Sequence, residues 1–315
     1  MRTIRATAAV TAVLIYALIV LGALVRTTDS GLACPDWPTC YKHWIPLPAD
    51  VATMPNIGYT YVQVMLEWVH RLIAGVLVGP LALALAVLTF LRRGARPDLA
   101  RAGGLLLLLL LVQGALGGVT VLDRNSPWSV ALHLGNALLV LTVTLRILAG
   151  ALRWSGAAAS RPLVAPAAVA WCLALVAMMS AAMTAKSGAS LACATWPSCN
   201  GALVPDLGDP YVRIHFAHRV LAALTALALV WLYWRGRAAP PPLRRLVTAA
   251  LLLVLVQIGL GALVIVLEVP VWKAVLHQAV GVLTFATVTL VLWRCIPAPL
   301  TARLGDPNGL ALRGA

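Results

Sequence analysis

The sequence predicts an all-α polytopic membrane protein: eight transmembrane helices forming two pseudo-symmetric parallel four-helix bundles, with the N and C termini cytoplasmic. Three observations predict it. Of the 315 residues, 61% are hydrophobic and 11% charged, and the mean hydropathy is +0.92, far too apolar for a water-soluble globule. Eight apolar stretches each reach the roughly 20 residues that a helix needs to cross a bilayer. The second four stretches, with their loops, repeat motifs of the first four.

In chain order the stretches cover about 7–25, 62–91, 102–121, 129–150, 163–184, 213–234, 246–267 and 272–294. Lipid offers no partner to backbone N–H and C=O groups, and the runs lack the alternation of a membrane barrel, so helices are the reading. The first stretch follows a basic start and invites comparison with a cleaved signal peptide. Its apolar part is too long, no Leu stands three residues before Cys34, and the remaining topology needs it as a retained helix.

The net charge of +14 raises nucleic acid as a partner, but the placement of the charge points to the lipid bilayer instead. The N-terminus, the turns around residues 92–101, 146–161 and 235–245 and the C-terminal tail hold 16 Lys or Arg against Asp98 and Asp306, while the other side holds 8 against 8. Basic residues gather on the cytoplasmic side. Both termini are therefore expected inside, with no role for nucleic acid.

That orientation puts two loops outside, at about 26–61 and 185–212, each with a related motif: GLACPDWPTC (31–40) and SLACATWPSC (190–199). Disulfides persist outside the cytoplasm, so Cys34 with Cys40 and Cys193 with Cys199 read as loop staples, structural or redox-active. A four-thiolate zinc site is the competing reading, disfavoured by spacing wider than the usual knuckle. Cys172 and Cys295 lie within apolar stretches and read as small packing residues. His43, in the first outer loop, reads as ordinary.

The repeat extends through the helices. EWVHR (67–71) returns as HFAHR (215–219), QGALGGVTVL (113–122) as QIGLGALVIVL (257–267), and VALHLG (130–135) as AVLHQAVG (274–281). The chain divides into halves, 1–155 and 156–315, each with an even number of spans and so parallel rather than inverted. His70 and His133 fall near the outer ends of the second and fourth helices, His218 and His277 in the sixth and eighth. Two histidines at one depth on two helices can grip a planar metallomacrocycle from both faces, and a fourfold repeated pattern is poorly explained by packing. Two haem-type sites are expected.

His215 and His218 compete for the sixth-helix position. The repeat pairs His218 with His70 and His215 with Glu67, so one half carries a carboxylate where the other carries an imidazole. A membrane carboxylate is costly to bury, which favours a working role for Glu67, with orientation of His70 as the alternative. Arg71 and Arg219 follow the histidines directly and could meet haem propionates or reach toward the surface.

Together these motifs resemble the haem A synthase family over residues 5–295. The resemblance implies an enzyme that oxidises a methyl group of haem O to the formyl group of haem A for cytochrome oxidase biogenesis, in the bacterial plasma membrane. It further implies that His70 and His133 hold haem O as substrate, that His218 and His277 hold a haem b, and that Glu67 serves the chemistry. Haem O synthase, an electron acceptor and further copies of the chain enter as partners. A di-haem b-type electron-transfer cytochrome and a membrane thiol oxidase using the outer cysteines are the rival readings.

Overall fold

The computed structural model describes residues 1–52, 58–152 and 158–296. The turn joining the two halves, with the boundary at 155, lies largely outside the described residues, as does the basic tail from 297 onward. Among the described residues eight helices are long and apolar enough to cross a membrane: α1 (Arg2–Thr27), α2 (Tyr61–Phe90), α3 (Pro97–Leu122), α4 (Pro127–Ala151), α5 (Val164–Lys186), α6 (Pro210–Gly236), α7 (Pro241–Val266) and α8 (Val271–Cys295). Most extend a few residues beyond their apolar stretch, because a helix runs on through the headgroup region until a cap stops it.

The starts follow local chemistry. Proline occupies the first turn of α3, α4, α6 and α7, where its missing N–H costs nothing. Ser126 and Asp209 cap α4 and α6, and Thr60 closes a capping box with Gln63 at α2.

One span is not a regular helix. Within α2, residues Ile73–Val78 form a π-helical turn immediately after His70 and Arg71. Pro80 explains it. Proline cannot donate to the carbonyl of Val76 and its ring crowds that carbonyl, and the Gly79 N–H reaches back to Ala74 instead. α6, which has no proline at the corresponding place, stays α-helical throughout.

Each half closes on itself: α1 packs on α2 and α4, and α3 bridges α2 and α4, while α5, α6, α7 and α8 repeat the arrangement. The halves meet where α4 touches α5 and α8, and where α1 touches α8. Lipid tails are as apolar as leucine, so close packing and hydrogen bonds, not expulsion from water, hold such helices together. Accordingly α1 turns Ala8, Ala12 and Ala23 inward and α5 turns Ala167, Ala170 and Ala174 inward. The Trp293 indole donates to the Thr142 carbonyl at 3.0 Å and the Trp171 indole to the Thr289 hydroxyl at 3.1 Å, pinning α8 to α4 and α5. α4 and α8 are the most enclosed helices, around Leu138, Leu141, Val282 and Phe285. They are also the carriers of His133 and His277.

The structure corrects one packing expectation. Cys295 is buried, but Cys172 lies on the outer surface of α5. An apolar stretch identifies a span without saying which of its faces meets lipid.

Candidate functional site

The polar groups collect toward the outer-loop ends of the helices in two matched clusters. Cys34–Cys40 and Cys193–Cys199 are disulfides, with S–S separations of 2.01 and 1.94 Å, so the four-thiolate zinc reading falls. Among the described residues no three His, Cys, Asp or Glu side chains gather as a metal-ion cage.

Each disulfide loop is fastened to the helix below it by the same three atoms. Arg71 donates to the carbonyls of Cys34 (3.2 Å), Asp36 (2.5 Å) and Thr39 (2.8 Å), and Arg219 donates to those of Cys193 (2.7 Å), Thr195 (2.8 Å) and Ser198 (2.9 Å). These are residue-for-residue counterparts in the repeat. The guanidinium groups that the sequence offered to propionates or to the surface are occupied in the loops, filling sites that a tight turn leaves without partners.

The residue one turn earlier completes the clasp. Glu67, 4% exposed, accepts the main-chain N–H of Cys34 at 2.7 Å and the Arg71 guanidinium at 2.5 Å. His215, 3% exposed, stands in the same place: its Nδ1 lies 3.2 Å from the Cys193 nitrogen and its Nε2 3.2 Å from Arg219 Nε. The two are not chemically equal. A carboxylate accepts both donors at once, whereas a neutral imidazole has a single acceptor nitrogen. The first clasp is therefore an ion pair with two charge-assisted bonds, and the second can hold one of its donors at a time.

The first loop carries a further acceptor. Asp36 takes the main-chain N–H groups of Tyr41 (2.7 Å) and Lys42 (2.9 Å) and the hydroxyl of Thr39. Burial alone would push its carboxyl up, but the Thr39 hydroxyl and the N–H groups outweigh it and hold the group below its ordinary value. Thr195 is its neutral counterpart, accepting the Gly201 N–H at 3.1 Å.

Beneath the loops lie the four paired histidines. His70 and His133 are close enough to interact electrostatically, as are His218 and His277. A Cβ added at Gly22 or Gly261 would stand 3.2 or 3.1 Å from the Cε1 of His70 or His277, so glycine gives two of the four rings their room; at Gly117 it would meet His133 at an ordinary 3.5 Å. Gln113 reaches both ring nitrogens of His133 (3.3 and 3.2 Å), and Gln257 reaches His277 Nε2 at 3.2 Å. His218 Nδ1 meets the Ser180 hydroxyl at 3.0 Å. Among the described residues the buried Nδ1 atoms of His70 and His277 find no partner, an arrangement natural for a ring reserved for a ligand and costly otherwise. The donor set of each half, two facing imidazoles in an apolar surround, suits an iron macrocycle, which brings its own four equatorial ligands.

The sequence reading missed Gln113 and Gln257. The repeat contained both, as the first letter of QGALGGVTVL and of QIGLGALVIVL, and a polar residue kept in two apolar helices is the signal that could have found them.

Fold and site define a polytopic membrane protein built on two histidine pairs, each roofed by a disulfide-stapled loop. Comparison with known sequences carries this further. A family profile described as cytochrome oxidase assembly protein matches residues 5–289. The haem A synthase of Symbiobacterium thermophilum is 32% identical over 276 residues, covering 84% of this chain and 86% of that protein. Those of Shewanella oneidensis and Methylobacterium radiotolerans are each 31% identical, covering 90% and 89% of this chain and 95% and 87% of theirs. The chain belongs to the cytochrome oxidase assembly protein family.

Proposed function

We infer that this chain is a haem A synthase, an oxidoreductase of the bacterial plasma membrane that converts a methyl group of haem O to the formyl group of haem A. In this reading residues 1–155 hold haem O between His70 and His133, and residues 156–315 hold a haem b between His218 and His277. The termini face the cytoplasm and the disulfide loops face out, as the distribution of arginines suggests.

A haem b held by His218 and His277 would supply one-electron transfer. The protein's own groups do the rest. The four imidazoles would hold the two rings, Gly22 and Gly261 make room beside His70 and His277, and the enclosing helices exclude water. Making a formyl group from a methyl group removes electrons and protons from carbon. Glu67, one turn outward from His70 on the same helix, is the carboxylate at hand to accept a proton or face developing positive charge. Arg71 and the Cys34 N–H hold it in one orientation.

The observation that carries the division of labour is the mismatch of Glu67 with His215. The clasps agree in disulfide, arginine and carbonyl contacts and differ in the ionisable residue that joins loop to helix. Pigment extraction and chromatography after expression with a haem O supply tests the reading. Haem O and haem A should be recovered alongside haem b. A preparation carrying haem b alone under those conditions would overturn it in favour of a di-haem cytochrome.

A further inference from the structure

The two clusters differ at a second place, on the seam between the halves. Arg26, in the last turn of α1, donates to the Gln278 side chain of α8 at 2.8 Å. Gln278 in turn reaches the Ile19 carbonyl of α1 at 3.5 Å, and the Tyr16 hydroxyl donates to the neighbouring Ala279 carbonyl at 3.3 Å. A side chain of the first half is thereby locked onto the helix carrying His277, at the residue directly after it. Among the described residues Arg26 makes no ion pair, so no carboxylate cancels that charge.

The seam on the other side lacks the device. In the register that pairs Cys34 with Cys193, Arg26 falls on Ala185, and in the register that pairs His133 with His277, Gln278 falls on Leu134. Ala185 and Leu134 cannot form the counterpart of the Arg26–Gln278 bond; the basic residue in the last turn of α5 is Lys186, one position further on. Arg71 and Arg219 fasten the loops of both halves; Arg71 is paired with Glu67 while Arg219 faces His215, so a contribution from Arg219 adds to that of Arg26 and is untouched by a substitution at Arg26. Arg26 places a positive charge, unpaired with a carboxylate among the described residues, against the residue next to His277.

We propose that Arg26, held by Gln278, is a positioning residue for electron transfer that raises the reduction potential of the haem bound by His218 and His277 above the value its two imidazoles alone would set. Reducing a haem iron adds one negative charge, and a fixed cation in a medium of low dielectric stabilises the reduced form. The seam cation makes the second haem a better electron sink than it would be without it. The proposal rests on the reading that His218 and His277 hold a haem, and the experiment separates the two.

Redox titration of the purified full-length protein, following the absorption band that disappears in His218→Ala and His277→Ala, reads the potential directly and needs no turnover. In Arg26→Met the ferrous-to-ferric ratio at a fixed ambient potential should fall about tenfold, equivalent to 59 mV for a one-electron couple, while Arg26→Lys should stay near wild type. Gln278→Leu, which restores the apolar residue of the other seam, should move it the same way by less, and serves if Arg26→Met does not accumulate. An unchanged potential in the accumulating variant, or an equal fall in Arg26→Lys and Arg26→Met, would overturn the proposal. A wild-type protein without a band dependent on His218 and His277 would instead overturn the haem assignment beneath it.

Discussion

Glu67 accepts the main-chain N–H of Cys34 at 2.7 Å, which ties the helix carrying His70 to the disulfide loop above it. The carboxylate that replaces an imidazole of the other half is thus also a structural fastening. Any test of its chemistry has to leave the fastening in place.

Glu67→Gln meets that condition, since an amide oxygen can still accept from Cys34 while the charge is gone. The variant should fold, keep the haem of His218 and His277 and bind haem O, yet form haem A about 100- to 10,000-fold more slowly. Glu67→Ala should in addition lose stability, because it strands the Arg71 guanidinium; breaking such a buried pair costs about 3 to 5 kcal/mol. Near-wild-type haem A formation by Glu67→Gln, with haem O and haem A measured on one preparation, would remove the carboxylate from the mechanism.

His215 is bound into the second clasp by Cys193 and Arg219. His215→Ala should therefore spare the second-half haem, whereas His218→Ala or His277→Ala should strip it. Absorption spectra of the three purified variants decide this. Bleaching by His215→Ala with retention by His218→Ala would reverse the ligand assignment.

Alkylation of denatured protein without reductant should label Cys172 and Cys295, and reduction should expose four more thiols. Cys34→Ser or Cys193→Ser should lower stability by about 2 to 4 kcal/mol, the usual worth of a disulfide. Intact mass gives the labelling and thermal unfolding the stability.

Asp36 makes the first loop acid-sensitive. Its carboxyl lies below its ordinary value in the folded loop, so its contribution is complete above the unfolded pKa of about 3.9 and is lost as pH falls from there through the lower folded value. Thr195 at the matching position does not ionise. The Cys34–Cys40 disulfide should thus become more accessible to an acid-stable phosphine reductant below about pH 4, and Asp36→Asn should weaken that dependence. Unchanged acid sensitivity of Cys34–Cys40 in Asp36→Asn would contradict this.

Much of the molecule was legible from sequence. The apolar stretches announced all eight spans, and the repeat separated His218 from His215 before any contact was seen. The π-helical turn was announced only by Pro80, which the length of its apolar stretch concealed. Arg71 and Arg219 were legible as important but not in their contacts: each reaches carbonyls in a loop more than twenty positions away, and no spacing rule says which way a loop folds back over its helix. The Arg26–Gln278 pair joins opposite ends of the chain. Its partners are set by how the halves dock, which periodicity within either half does not report.

The shared clasp also says something about how a duplicated protein can acquire two jobs. Cys34 and Cys193 ask only for a hydrogen-bond acceptor at the position beneath them, and both a carboxylate and an imidazole supply one. This position can differ in acid–base character between the copies without loss of the loop's anchorage, because the architecture constrains what the side chain accepts and not whether it ionises. Exchanging the two residues between copies becomes a way to ask how much each half depends on the charge.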